Sequence, residues 1–361
     1  MSGRLFNEVA RLFVAGFAGE ELDARVRGLL GQGLGGVILF SRNLAHWRAA
    51  LSLIEEVYRA TPSHPPLVTI DQEGGRVQRL GPPFLQLPPM RRLGRSGDES
   101  LCRQAAHRLG LELRAAGIWL DFAPVLDVDS NPRNPVIGDR SFSADPLQVA
   151  RLGVAFGSGL QQAGVAACGK HLPGHGDSST DSHRELPRLE HDRQRLERVE
   201  LVPFVRASDH LATMMMAHLL VPALDAELPT SLSPAAYRLA RDHLGFGGVI
   251  FTDDVEMAAV AEEPGPVEAA VRAIAAGADV VLVCHRPELV EEAIAETVRR
   301  VETGAVFRAR ITEANRRLDG LARRFHAHRA RPDGARLQRL FSSPERRELE
   351  RRLQDTEAVI T

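Results

Sequence analysis

Lysine is almost absent from this 361-residue chain: Lys170 stands alone, and the other 44 of its 45 basic residues are arginine. A sequence that spends arginine wherever either cation would serve marks position 170 as a place for a compact ammonium, where a planar fork would not fit. Cysteine is scarce too. Cys102, Cys168 and Cys284 are an odd, scattered set, which excludes a disulfide framework and a zinc-ribbon spacing and fits a reducing compartment. No apolar run approaches the ~20 residues of a membrane span. The short run from Leu12 to Phe17 follows Glu8 and Arg11 and lacks the basic leader and cleavage site of a secretion signal, so a cytoplasmic protein is expected. An excess of one charge is missing as well: a formal charge of −2 gives no general affinity for nucleic acid or anionic membranes. No internal repeat or low-complexity linker divides the chain.

What remains is apolar enough, at 44%, for a sizeable core, and long enough for one α/β barrel, which takes about 250 residues plus insertions. Eight strand-like runs recur: Leu12–Ala15, Val37–Phe40, Leu67–Ile70, Ile118–Val125, Val165–Gly169, Thr213–Ala217, Val249–Thr252 and Val280–Val283. Several are continuously apolar, as parallel strands buried on both faces should be. Amphipathic segments lie between them: Trp47–Arg59, Glu99–Ala115, Pro146–Gln162, Arg193–Ser208, Pro266–Ala276 and Glu288–Val301. The expected fold is α/β, a single (β/α)8 TIM-type barrel over 1–325. An open doubly wound sheet is the alternative, but no GxGxxG follows a strand. Residues 326–361 read as an Arg-rich surface extension with a short helix near Pro344–Leu353.

Catalytic groups of such a barrel sit at the C-terminal ends of its strands. Polar residues at those ends are Asp71, Asp121 and Asp127, Lys170 with His171, His218, Asp253 with Asp254, and His285. Buried charge at one end of apolar strands is costly unless used or paired. The richest segment is Lys170 to His183, a Gly- and Pro-containing loop with three histidines and two aspartates. Asp181 and His183, two apart, would share a face in extended backbone. A carboxylate beside an imidazole favours its protonated form, which makes a general acid/base pair. Asp253, the first residue past Val-Ile-Phe-Thr, is favoured as a nucleophile over its neighbour Asp254, since only one of the two should point into the mouth. Blander roles are expected elsewhere: core packing for Met214, Met215 and Met216, a brace of the loop after the third strand for Glu73, a peripheral place for His285. His218 either lines the site or satisfies a buried hydrogen bond.

Five segments in order carry a resemblance: Ile-Asp-Gln-Glu-Gly-Gly-Arg-Val-Gln-Arg-Leu (70–80), Phe-Ala-Pro-Val-Leu-Asp-Val (122–128), Ile-Gly-Asp-Arg-Ser-Phe (137–142), Lys-His-Leu-Pro-Gly-His-Gly-Asp through Asp-Ser-His (170–183) and Phe-Thr-Asp-Asp-Val-Glu-Met (251–257). Over roughly residues 8–325 the chain resembles family 3 glycoside hydrolases, in particular bacterial β-N-acetylhexosaminidases of the NagZ type. That resemblance implies Asp253 as nucleophile, His183 as acid/base with Asp181 as its partner, and Asp71, Arg79, Arg140, Lys170 and His171 as holders of the terminal sugar's hydroxyls. It also implies a retaining reaction on N-acetylglucosamine β-1,4-linked to anhydro-N-acetylmuramic acid, with or without peptide, in cell-wall recycling. No cofactor or metal is expected, and the partner is a small muropeptide substrate of a monomeric enzyme.

Phosphorolysis on the same fold stays open, because a neutral imidazole would repel an anionic acceptor less than a carboxylate would. Other readings are a metal-dependent hydrolase using His171, His175, Asp177 and His183, whose spacing matches no standard ligand signature, a Schiff-base aldolase at Lys170, and a non-catalytic sugar-binding barrel.

Overall fold

The structure, a computed structural model, describes residues 3–180, 182 and 185–358. Eight parallel strands close on themselves in sequence order: β1 (Phe13–Ala15), β2 (Gly36–Leu39), β3 (Leu67–Ile70), β4 (Leu120–Asp121), β5 (Ala166–Leu172), β6 (Thr213–Met216), β7 (Val249–Asp254) and β8 (Val280–Val283). Closure is made by β1 against β8, with Val14 opposite Leu282. The chain is therefore a (β/α)8 barrel, as the eight apolar runs required. All eight strands are almost wholly buried, between an interior that holds Phe122 against Phe251 (centroids 5.3 Å apart) and an outer ring of helices.

Helix ends follow from local chemistry. Asp98 caps the helix Glu99–Ala115 by accepting from Leu101 N at 2.9 Å, and Asp145 caps Pro146–Gln162 by accepting from Leu147 N at 3.0 Å. The expected helix Arg193–Ser208 is instead two, Arg193–Arg198 and Val202–Ala207. Pro203 lies at the start of the second, where a missing N–H costs nothing; inside a continuous helix it would break the ladder.

The fourth strand is likewise shorter than the run Ile118–Val125. Pro124 has no N–H to give, and past Asp121 the contact with β5 continues through single bonds such as Lys170 N to Pro124 O (3.2 Å) and Leu126 N to Lys170 O (2.6 Å).

After the barrel's last helix, Ala305–Arg324, two further helices run over Gly334–Phe341 and Pro344–Ala358. They bury Leu337, Leu349 and Leu353. Phe341 meets Trp47 and Phe84 edge-on, at 5.6 and 5.1 Å. Arg346, itself buried, lies 3.6 Å from the buried Glu112, whose other oxygen accepts from Leu85 N at 2.7 Å. The terminal segment thus packs behind the loop that leaves β3. No helix among the described residues is long and apolar enough to cross a membrane.

Candidate active site

A cavity of about 270 Å³ opens at the C-terminal ends of the strands, where barrel geometry places catalytic groups. Its deep wall comes from β3, β5 and the loop after β4. Lys170 Nζ donates to Asp71 Oδ1 at 2.8 Å and to Glu73 Oε1 at 2.6 Å. Arg140 grips Glu73 with both prongs, Nε to Oε2 at 2.9 Å and Nη2 to Oε1 at 2.8 Å. Burial raises the Glu73 pKa, but Arg140 and Lys170 outweigh it and hold the carboxyl well below its ordinary range. Burial likewise disfavours charge on Lys170, and Asp71 with Glu73 more than restores it. Glu73 is therefore more than a brace of its loop: it is the carboxylate shared by the two deepest cations. The signal for it was present, since position 73 is two past Asp71 and alternation along extended backbone puts both on one side. Arg79 closes this end, its Nη2 3.4 Å from Asp71 Oδ2.

His171 is held by a residue the sequence reading placed only at a strand end. Asp127 Oδ2 lies 2.7 Å from His171 Nδ1, and its Oδ1 accepts from the backbone N–H groups of His171 (3.2 Å) and His175 (2.7 Å). A carboxylate there fixes the proton on Nδ1 and leaves Nε2 for the cavity, 3.5 Å from Arg140 Nη2. The loop beyond lies flat on the Phe122–Val128 segment: a Cβ at Gly176 would meet Val128 O at 1.7 Å, so only glycine fits. Burial pulls His175 down to about 4, and its ring bonds Ser178 Oγ (2.7 Å) and Ser182 Oγ (3.2 Å). Asp181 and His183 lie outside the described residues.

Of the residues considered for a metal, His171 and His175 are thus engaged elsewhere. Asp177, His191 and Glu200 do bring ligand atoms within 4.8 Å of one another, and Arg195, 3.0 Å from Glu200 Oε1, supplies positive charge there.

On the facing side, β7 carries both Asp253 and Asp254 to the cavity, so the expectation that only one would reach it is corrected. They differ in surroundings. Burial raises the Asp253 pKa, but His171, His218, the Asp254 N–H at 2.9 Å and Lys170 bring it below its ordinary value. Burial dominates at Asp254 and pushes it up to about 7. Its Oδ1 is occupied by the N–H groups of Glu256 (3.1 Å) and Cys284 (3.2 Å). Two adjacent carboxyls whose pKa values are driven apart have different tasks: of the two that reach the cavity, Asp253 is the one held in its ionised form.

His218 satisfies buried bonds, to Ser231 Oγ (2.6 Å) and Asp254 O (3.0 Å). Met215 lines the cavity floor, whereas Met214 and Met216 are core. His285 is not peripheral: it forms part of the cavity wall. All three cysteines are buried thiols without a disulfide.

The chain is similar in sequence and fold to known proteins. The model of the glycosyl hydrolase family 3 N terminal domain matches residues 8–321. A beta-hexosaminidase of Nitrosospira multiformis is 44% identical over 271 residues, 73% of this chain and 77% of that protein. Among solved structures, a glycoside hydrolase family 3 beta-N-acetylglucosaminidase from Paenibacillus sp. superposes with a TM-score of 0.91 at 39% identity, covering 98% of this chain and 68% of that one. NagZ from Neisseria gonorrhoeae, in complex with N-trifluoroacetyl-D-glucosamine, superposes with a TM-score of 0.80 at 32% identity, covering 96% and 97%.

Proposed function

Since the chain belongs to glycosyl hydrolase family 3, as a glycoside hydrolase of the NagZ-type β-N-acetylhexosaminidases, we propose that it releases terminal N-acetylglucosamine β-1,4-linked to anhydro-N-acetylmuramic acid, with or without peptide. It would do so as a cytoplasmic monomer in peptidoglycan recycling, by a two-step retaining mechanism. Asp253 attacks the sugar's C1 and the glycosidic oxygen leaves with a proton from His183, which Asp181 orients. Water then gives its proton back to His183 and displaces Asp253 from C1. Asp71, Arg79, Arg140, Lys170 and His171 hold the hydroxyls of the terminal sugar.

The observation that carries this reading is the contrast at the end of β7: a depressed carboxyl at Asp253, facing cations and imidazoles across the cavity, beside a raised one at Asp254. A nucleophile must be ionised at working pH, a need that Asp253 meets more fully than Asp254. A second carboxyl in the role of acid is not needed if the loop histidine serves.

The test is to trap the intermediate with a slow fluorinated N-acetylglucosaminide, digest the protein and weigh the peptides. The label is expected on Asp253, and Asp253→Asn should lower kcat by at least about 10³-fold, roughly 4 kcal/mol of barrier. Label on another residue, or none while substrate is still cleaved, overturns the assignment. Running the reaction with inorganic phosphate separates hydrolysis from phosphorolysis by the appearance of sugar 1-phosphate.

A further inference from the structure

The deep wall of the cavity accounts for one sugar, and nothing assigned so far meets the group that leaves. Its path follows from the barrel order. The hydroxyl-binding cluster comes from β3, the loop after β4 and β5; Asp253 comes from β7. A sugar held at that side with C1 over Asp253 leaves the stretch of mouth from β8, across the short β1, to β2 for the group attached to it.

That stretch of rim is built from aromatic rings. His285, just past β8, stacks on Phe40, just past β2, with centroids 5.8 Å apart and planes at 25°. The pair is set firmly from behind. Two guanidiniums lie over the Phe40 ring, Arg42 at 4.3 Å and Arg79 at 5.2 Å. Arg42 is itself anchored on Phe17 O (2.8 Å) and Cys284 O (2.5 Å). The His285 backbone N–H donates to Glu256 Oε2 at 2.6 Å, and its ring Nε2 is 3.5 Å from Asp254 Oδ2.

Yet the His285 side chain remains 55% exposed, and both rings line the cavity. An exposed ring held this firmly in the cavity wall suits a sugar, because the electron-rich face of an aromatic attracts the polarised C–H bonds of a pyranose. Next round from Phe40, on the loop after β3, is Arg76. Its guanidinium is half exposed: Nη2 is anchored on Val136 O and on Ile137 O (3.3 Å), while Nε pairs at the surface with Asp139, at 3.3 Å. Such an exposed pair is worth little and yields readily to another carboxylate.

We propose that Phe40 and His285 form the platform on which the leaving sugar lies, and that Arg76 takes an acidic substituent of that sugar. The proposal rests on the exo-glycosidase reading above and extends it to the aglycone.

The test compares kcat/KM for three donors: the anhydromuramic disaccharide, N,N′-diacetylchitobiose, and N-acetylglucosaminyl fluoride, whose leaving group is too small to reach the rim. In His285→Ala the ratio of either disaccharide to the fluoride should fall about tenfold, the worth of one lost ring contact. Phe40→Leu should lower it similarly. Arg76→Gln should lower it for the muramic disaccharide with a free lactyl carboxylate and leave its methyl ester and chitobiose as in wild type. Unchanged ratios in His285→Ala and Phe40→Leu overturn the platform. An Arg76→Gln effect equal for acid and ester overturns the carboxylate contact. If wild type cleaves chitobiose and the fluoride but not the muramic disaccharide, the substrate proposed above fails, while a fallen chitobiose ratio in His285→Ala still upholds the platform.

Discussion

At the N-terminal ends of the strands Asp279 is buried among three arginines; at the C-terminal ends the buried Lys170 and the half-buried Arg140 sit beside two carboxylates. The first group is closed. Asp279 Oδ2 accepts from Arg241 Nη2 (2.6 Å) and Ile250 N (3.0 Å), while Oδ1 is shared by Arg310 and Arg317. Arg241 spends its other nitrogen on Phe246 O and Gly248 O, both at 2.7 Å. Every contact is internal, and the cluster pins the helix Ala305–Arg324 to the foot of β8. The second group is as heavily charged, yet Asp71, Glu73, Arg140 and Lys170 all border the cavity. Ion pairing alone does not distinguish a structural cluster from a binding one. Which face of the barrel it occupies, and whether its lone pairs and N–H groups have somewhere to point, does.

Three substitutions would break or sharpen that contrast. The largest effect is expected from Lys170→Met, which leaves Asp71 and Glu73 side by side with one cation fewer. Removing one partner of a buried pair costs about 3–5 kcal/mol. Here both readouts should move: a lower Tm, and kcat/KM down on the order of 10²-fold from the lost charge-assisted bonds. Lys170→Arg should not rescue it; full rescue would mean that the lone lysine is an accident of composition.

Asp279→Asn comes next. It should cost ~3 kcal/mol in denaturant unfolding, with kcat/KM as in wild type at temperatures where the variant is folded. A kinetic defect there would show that the two ends are coupled.

The smallest effect concerns pH. Burial pushes Asp121, whose Oδ1 accepts from Gln72 N at 2.9 Å, up to about 8. A raised folded pKa gives stability that is complete below the unfolded value and is lost as pH rises through the folded one. Asp121→Asn cannot ionise and can keep the Gln72 bond. Its stability should therefore gain on wild type between about pH 6 and pH 7, by ~1 kcal/mol or roughly 2 °C in Tm. A difference that shrinks over that window would contradict the assignment.

Much of this was legible before any coordinates. The eight apolar runs fall within a residue or two of the strands except at Ile118–Val125, where Pro124 ends the ladder, and at β5, which runs on into Lys170-His171-Leu172. Glu99–Ala115, Pro146–Gln162 and Pro266–Ala276 are helices with those ends, because Asp98, Asp145 and Pro266 are strong start signals. Asp71, Arg79, Arg140, Lys170, His171 and Asp253 all reach one cavity, since strand ends in a closed barrel converge.

The misses share a cause. Glu73, Asp127 and His285 act through partners far along the chain: Arg140 is 67 residues from Glu73, and His171 is 44 from Asp127. The terminal helices are another case, since their burial depends on Trp47, Phe84 and Glu112.

Periodicity, helix signals and the residue at each strand's end are local properties, so the sequence by itself determined the barrel and the set of groups at its mouth. Only the tertiary structure decided how those groups divide the work. Whether a carboxylate sits beside a guanidinium, an N–H or nothing sets its charge, and that distinguishes Asp253 from Asp254 although the two are neighbours of identical chemistry. Field and burial are summed over residues brought together by closure of the barrel, and no local pattern encodes that sum.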